Sequence, residues 1–238
     1  MFALLFGAVS LLYATVGQAG GTAFLALMAL ASFPSNEMRP TALLLNIVAA
    51  TYSTWLFNRA SSTDWVKLRP FLLSSLPTAF IGGFIVLDER FYKTVTGLVL
   101  LLAAMILVLR RSREGKPDRP IPFYGAVSLG AAVGFVSGLT GVGGGVFLAP
   151  LLIAFRWASP KQTAALSAPF ILANSVVGLA GAIYAGQTLS GETWLYMLAA
   201  LGGAMIGTIV GLRWLSQTMT RCMLAAILAA AGVQLLLM

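Results

Sequence analysis

Runs of residues without a single charge constrain this chain more than any other feature. Charge-free stretches occupy positions 1–36, 40–58, 70–87, 94–109, 120–155, 162–191, 193–212 and 222–238. A helix needs about 20 apolar residues to cross the hydrocarbon core of a bilayer. The five shorter gaps each fit one crossing with their end residues snorkelling, and 162–191 fits one crossing plus the polar loop 185–191. Only 9% of the residues are charged and 59% are hydrophobic, whereas a soluble domain carries about 25% charged residues. Such a chain cannot cover a water-facing surface. Its expected fold class is all-α, a polytopic helical membrane protein with the lipid bilayer as its surroundings. A net charge of +8 points a soluble domain toward nucleic acid, but no soluble domain is left to present a basic face, so nucleic acid is not an expected partner.

What is missing narrows the chemistry. There is no His, which removes imidazole catalysis, His metal ligands and His proton relays. The single Cys222 can build neither an internal disulfide nor a thiolate cluster, and it reads as a small buried apolar residue. No catalytic residue, metal site or cofactor motif is expected, and the chain is not read as an enzyme. The apolar N-terminus has no positive leading region, so it does not read as a cleaved signal peptide.

Two gaps are anomalous. The stretches 1–36 and 120–155 are each 36 residues long, too long for one helix and too short for two full crossings with a turn. Each is interrupted by glycines, Gly17-Gln18-Ala19-Gly20-Gly21 in one and Gly141-Val142-Gly143-Gly144-Gly145 in the other. Glycine is a poor helix former and admits positive φ, so both clusters read as breaks. A broken helix that crosses and a hairpin that returns are the two options. Counting Lys and Arg chooses between them, because cytoplasmic loops are enriched in both. Two returning hairpins put Arg59, Lys67, Arg69, Arg110, Arg111, Arg113, Lys116, Arg119, Arg156, Lys161, Arg213 and Arg221 on one face and Arg39, Arg90 and Lys93 on the other, a split of 12 to 3. Two single crossings give 8 to 7. The hairpin reading places both termini outside the cell membrane (the inner membrane in a two-membrane cell).

The two halves resemble each other. Leu76-Pro-Thr-Ala79-Phe-Ile81-Gly82 and Leu201-Gly-Gly-Ala204-Met-Ile206-Gly207 share an L-x-x-A-x-I-G pattern displaced by 125 residues, the glycine breaks are displaced by 124, and Asn46 and Asn174 by 128. This predicts a first transmembrane repeat over 1–109, a basic cytoplasmic linker over 110–119 and a second repeat over 120–238. Each repeat holds one glycine-broken hairpin plus three spans, and the second is inverted relative to the first. Inverted repeats with broken helices are a recurring transporter design, with the substrate site where the breaks meet.

Past the breaks, short helices should begin near Thr22 and Val146. Their N-termini carry free N–H groups and the positive end of the helix dipole, a ready anion site. The expected substrate-binding residues are Gln18, Gly20, Gly21, Thr22, Asn46, Thr140, Gly143, Gly144, Gly145 and Asn174. Asn46 and Asn174 stand equally well as interhelical hydrogen bonds. Ser137, Ser167 and Ser175 lie in the same charge-free segments, while Ala79, Gly82, Gly83, Ala204 and Gly207 read as close packing. No acidic or basic residue is predicted near the midplane, where proton-coupled carriers commonly place a carboxylate.

The run Gly141-Val142-Gly143-Gly144-Gly145-Val146-Phe147-Leu148-Ala149-Pro150 resembles the G-x-G-G-G-x(4)-P signature of the TauE/SafE sulfite-exporter family. A weaker copy at 17–27 and the two-half layout fit as well, although Gln18, Ala19 and Ala26 replace the Val142, Gly143 and Pro150 of the second copy. The resemblance implies a transporter of sulfite, organosulfonates or related organic anions. The residues alone support a small anion as substrate and leave the oligomeric state open, with a homodimer among the options. Export is the expected direction, because an inside-negative potential favours outward anion flow by about 2.3 kcal/mol per charge per 100 mV. The rivals are an anion channel using the same breaks as a filter, an intramembrane enzyme, and an assembly subunit whose glycines only pack.

Overall fold

The computed structural model describes residues 2–31, 33–85, 119–214 and 216–237, together with seven scattered positions between 94 and 108. Arg90, Lys93 and most of the basic linker lie outside the described residues, as does most of the span expected at 94–109. The helices are α1 (Phe2–Ala14), α2 (Gly21–Leu30), α3 (Ser35–Arg59), α4 (Trp65–Phe84), α5 (Phe123–Thr140), α6 (Gly145–Ala154), α7 (Pro160–Tyr184), α8 (Thr193–Trp214) and α9 (Gln217–Leu237). Among the described residues there is no strand. Among the described residues, four helices, namely α3 from Asn36 onward, α5, α7 and α8, are long and apolar enough to cross a membrane. Large apolar side chains such as Leu4, Leu73, Leu198, Ile206 and Leu237 face outward, a surface that suits lipid and not water.

Local signals set the helix ends. The side chain of Ser159 accepts from Gln162 N while Gln162 reaches back to Ser159 N, a capping box that starts α7 with Pro160 in its first turn. Asp64 caps α4 by accepting from Lys67 N at 3.1 Å and pairs with Lys67 Nζ at 3.0 Å. Partial burial pushes the Asp64 carboxyl up, but the hydrogen bonds and charge of Lys67 outweigh it and hold the group below its usual value. At the second glycine cluster, Gly141 ends α5 at φ +75° and Gly144 starts α6 at φ +78°. Two left-handed residues so close together need glycine.

Both anomalous segments turn back. Tyr196, in the first turn of α8, stacks on Phe6 in α1 at 4.7 Å and on Phe33, just past α2, at 6.1 Å. The first hairpin therefore enters and leaves at one end of the bundle. At the opposite end, Trp157, just past α6, lies 6.3 Å from Phe71 and close to Gly125 in the first turn of α5. Thr41 near the start of α3 accepts from Ser190 N past the end of α7, while Thr63 past α3 donates to Ala165 near the start of α7. Helices α3 and α7 are thus antiparallel. Among the described residues, Glu37, Arg39 and Glu192 gather at the first end. Arg59, Asp64, Lys67, Arg69, Arg119, Arg156, Lys161 and Arg213 gather at the second.

The shared L-x-x-A-x-I-G pattern has a packing cause. A methyl on Gly207 of α8 would collide with the Leu11 carbonyl of α1, and a methyl on Gly82 of α4 with the Phe135 carbonyl of α5. Phe135 is displaced from Leu11 by 124 residues, so the two contacts exchange when the halves are exchanged. Glycine here lets two backbones approach within van der Waals range. Gly83 meets the Gly178 carbonyl in the same way, and Ala79 and Ala204 are fully buried, so the packing expectation holds for all five. Cys222 departs from expectation. It lies on an exposed face of α9, an outer helix.

Candidate functional site

The two glycine breaks meet crosswise. Gln18, three residues before α2, donates from Nε2 to the carbonyl of Gly145, the first residue of α6, at 3.2 Å. Gly21, the first residue of α2, sits so close to Val142, three residues before α6, that an added Cβ would stand 2.6 Å from the Val142 carbonyl. Val142 and Gly145 are displaced from Gln18 and Gly21 by 124 residues, so each contact is the exchanged form of the other. The helices begin at Gly21 and Gly145, one residue before the positions expected from sequence.

Around this crossing the side chains are polar and buried. Asn46 of α3 donates to the Gly141 carbonyl at 3.4 Å, and its Nδ2 would stand 2.6 Å from a Cβ on Gly21 and 2.9 Å from one on Gly143. Ser175 of α7 approaches Gly143, and Ser137 of α5 approaches Gly144, each within about 3.1 Å of the Cβ that would be added there. Gln18, Asn46, Ser137 and Ser175 are each at most 1% exposed. Gln18 Oε1, Asn46 Oδ1 and both serine hydroxyls have no hydrogen-bond partner among the described residues. The Phe147 and Leu148 N–H groups return to the Gly144 carbonyl, and no side chain caps α6. The first N–H groups of a helix have no partner inside it, and the helices that begin at Gly21 and Gly145 both begin at this crossing.

Of the expected residues, the structure brings Gln18, Gly21, Asn46, Gly143, Gly144 and Gly145 together. Four expected residues are engaged elsewhere. An added Cβ on Gly20, which holds φ +111°, would meet Phe24 and Val9; Thr22 shares a 2.8 Å hydrogen bond with Tyr13; Thr140 donates to its own Val136 carbonyl; and Asn174 donates to its own Phe170 carbonyl at 2.9 Å. Ser137 and Ser175 earn a place that charge-free position alone had marked only as candidate.

Arg39 is the residue that sequence reasoning missed. A charge beside a span boundary reads as a loop residue, yet Arg39 is only 6% exposed. Its guanidinium donates to the carbonyls of Gly83, Ile85 and Leu139 and to Gln187 Oε1, and its side-chain stem lies against Gly141. The carbonyls belong to the C-terminal ends of α4 and α5, where the helix dipoles are negative. At the exchanged position, Gly17 lies against the Ala164 carbonyl, beside a cavity of about 380 Å³ at the basic end lined by Thr15, Phe57, Ser61, Lys161, Gln162 and Ala164 among others.

A family model described as "Sulfite exporter TauE/SafE" matches residues 2–235. The chain is 36% identical, over 98% of its length and 96% of the relative's, to "Probable membrane transporter protein y4hK" of Sinorhizobium fredii. It is 26% identical, over 72% of its length and 68% of the relative's, to "Probable membrane transporter protein YunE" of Bacillus subtilis.

Proposed function

Because this chain belongs to the TauE/SafE family of membrane transporters, we propose that it is a secondary transporter of small anions whose site is the crossing of the two glycine breaks. The carrying observation is the reciprocal pair of contacts, Gln18 to Gly145 and Gly21 to Val142, which brings two helix N-termini together. Their N–H groups and dipoles favour negative charge, and the family description makes sulfite the first substrate to test. Organosulfonates follow from the same chemistry.

The exchange symmetry supports reading 1–109 and 120–238 as inverted repeats joined by a cytoplasmic linker. The described charges support the basic end as cytoplasmic, with both termini outside the cell membrane. On that orientation the cavity beside Gly17 opens to the cytoplasm, Lys161 on its wall attracts anions, and the hydrogen bonds of Arg39 close the opposite end. The near-complete burial of Gln18 and Asn46 favours a carrier that opens to one side at a time over an open channel.

Proteoliposomes with a set membrane potential test the reading. Sulfite efflux should saturate, show counterflow and accelerate when the inside is negative, since each charge gains about 2.3 kcal/mol per 100 mV. Uptake that persists against an opposing potential would refute export, and an unsaturable single-channel current would replace the carrier with a channel.

A further inference from the structure

The two amides at the crossing have a fixed orientation. Gln18 Nε2 and Asn46 Nδ2 each donate to a backbone carbonyl. Turning either amide over would set two carbonyl oxygens against each other, so the amide oxygens are committed as acceptors. Gln18 Oε1 lies 2.8 Å from the position of an added Cβ on Gly145, at the first residue of α6. It and Asn46 Oδ1 are buried without a donor among the described residues. A buried acceptor left without a donor is costly.

Three ligand chemistries can be weighed against this arrangement. An anion with acceptor oxygens alone satisfies the helix N–H groups but places its oxygens against two amide oxygens. A metal cation satisfies the amide oxygens but meets the positive ends of two helices. An anion that carries its own hydrogen-bond donor satisfies both sets. Resting on the anion-transport reading above, we infer that the site selects oxyanions that retain a proton: hydrogensulfite over the sulfite dianion, and over sulfonates with no O–H or N–H.

The pH dependence then belongs to the ligand. Among the described residues, the ionisable side chains on the elements around the crossing are few. Tyr13 of α1 pairs with Thr22, and Arg39 of α3 is held by carbonyls. Glu37, Tyr52 and Arg59 of α3, Tyr124 of α5, and Lys161 and Tyr184 of α7 complete the set, while α2 and α6 carry none. No His and no buried carboxylate is among them.

Calorimetric binding to the purified full chain in lipid nanodiscs tests this, with sulfite and methanesulfonate as probes from mildly acidic to mildly alkaline pH. Sulfite affinity should fall about tenfold per pH unit above the ligand's own pKa, while methanesulfonate binds about 10- to 100-fold more weakly than hydrogensulfite and without pH dependence. Gln18→Met removes the unpartnered acceptor, so it should weaken hydrogensulfite, relieve the oxygen–oxygen repulsion that methanesulfonate meets, and narrow the gap between the two probes. The wild-type pH profile decides the matter even where that variant does not fold. Equal, pH-independent binding of both probes overturns the inference and leaves the anion site standing. Binding of neither overturns the inference together with the reading on which it rests.

Discussion

Replacing Arg39 with Met is the most severe perturbation that the structure offers. The side chains are similar in length, so the change deletes the donors and the charge with little loss of volume. Four acceptors are affected: the carbonyls of Gly83, Ile85 and Leu139, and Gln187 Oε1, with Ile85 at 2.8 Å and Leu139 at 3.2 Å from Nη1. Hydrogen bonds to a charged group contribute about 1.5–3 kcal/mol each, which would sum to roughly 6–12. Removing the guanidinium also removes its own desolvation cost, and breaking a buried charged network by deleting one partner costs about 3–5 kcal/mol. The lower range is therefore the expected loss. Arg39→Lys keeps the charge but offers three donors from one point, which cannot span three carbonyls as a planar fork does; it should lose about half as much. Equilibrium unfolding in mixed micelles, followed by Trp fluorescence, measures both. Since the group is buried, salt should hardly change the result. A Met variant within about 1 kcal/mol of wild type, or a Lys variant worse than Met, would refute this account.

Other substitutions probe the crossing and the packing. Gly21→Ala, whose Cβ would stand 2.6 Å from both Asn46 Nδ2 and the Val142 carbonyl, should cost about 1–3 kcal/mol and abolish flux. Gly202→Ala on α8, with nothing within 4 Å, should leave flux intact and stabilise by up to about 1 kcal/mol; the reverse order in a thermal-unfolding and flux comparison would contradict the close-approach argument. Gly82→Ala and Gly207→Ala, which meet exchanged carbonyls, should destabilise by similar amounts, within roughly 0.5 kcal/mol of each other. Asp64→Ala should cost about 0.5–2 kcal/mol at neutral pH through the lost cap of α4, nearer the lower figure at this half-exposed site. Because the folded Asp64 carboxyl titrates below its ordinary value, that contribution is present above the unfolded pKa and is lost as pH falls through the folded one. A difference between variant and wild type that grew toward acid would count against it.

The fold was legible because its markers are backbone effects that survive without tertiary context. Charges cannot sit in hydrocarbon, so their spacing delimits the helices, and glycine clusters in overlong apolar segments mark where helices stop. The side chains were harder. Asn46 and Asn174 looked equivalent at a displacement of 128, but the breaks are displaced by 124. Four residues are about one helical turn, roughly 5.4 Å along the axis, so Asn174 stands one turn beyond the matching place and turns back on Phe170. Phe170 itself occupies that place, against Gly144. Arg39 was illegible for another reason. Its burial depends on three carbonyls from two helix ends that the sequence keeps far apart, and a charge near a span boundary reads as a loop residue until those ends are brought together.

The departure from symmetry at these positions bears on how such a carrier would work. Gly17 and Gly141 are exchanged positions, and so, to within one residue, are the places of Ala164 and Arg39. At the basic end this place borders a cavity; at the other it is filled by a guanidinium bonded to the ends of α4 and α5. Two identical halves would close both ends equally well and leave neither state preferred. In a two-state carrier, a cation on one side alone would bias the resting state toward an opening at the basic end by the differential free energy of those bonds. On the proposed carrier reading, an anion bound at the crossing would have to offset that bias before the far end could open, which would couple release to occupancy. The same asymmetry places the side-chain amide of the crossing on the first break alone, since Val142 stands opposite Gln18. One break contributes an amide and the other mainly backbone, the asymmetry on which the proposed preference for a donor-bearing anion rests.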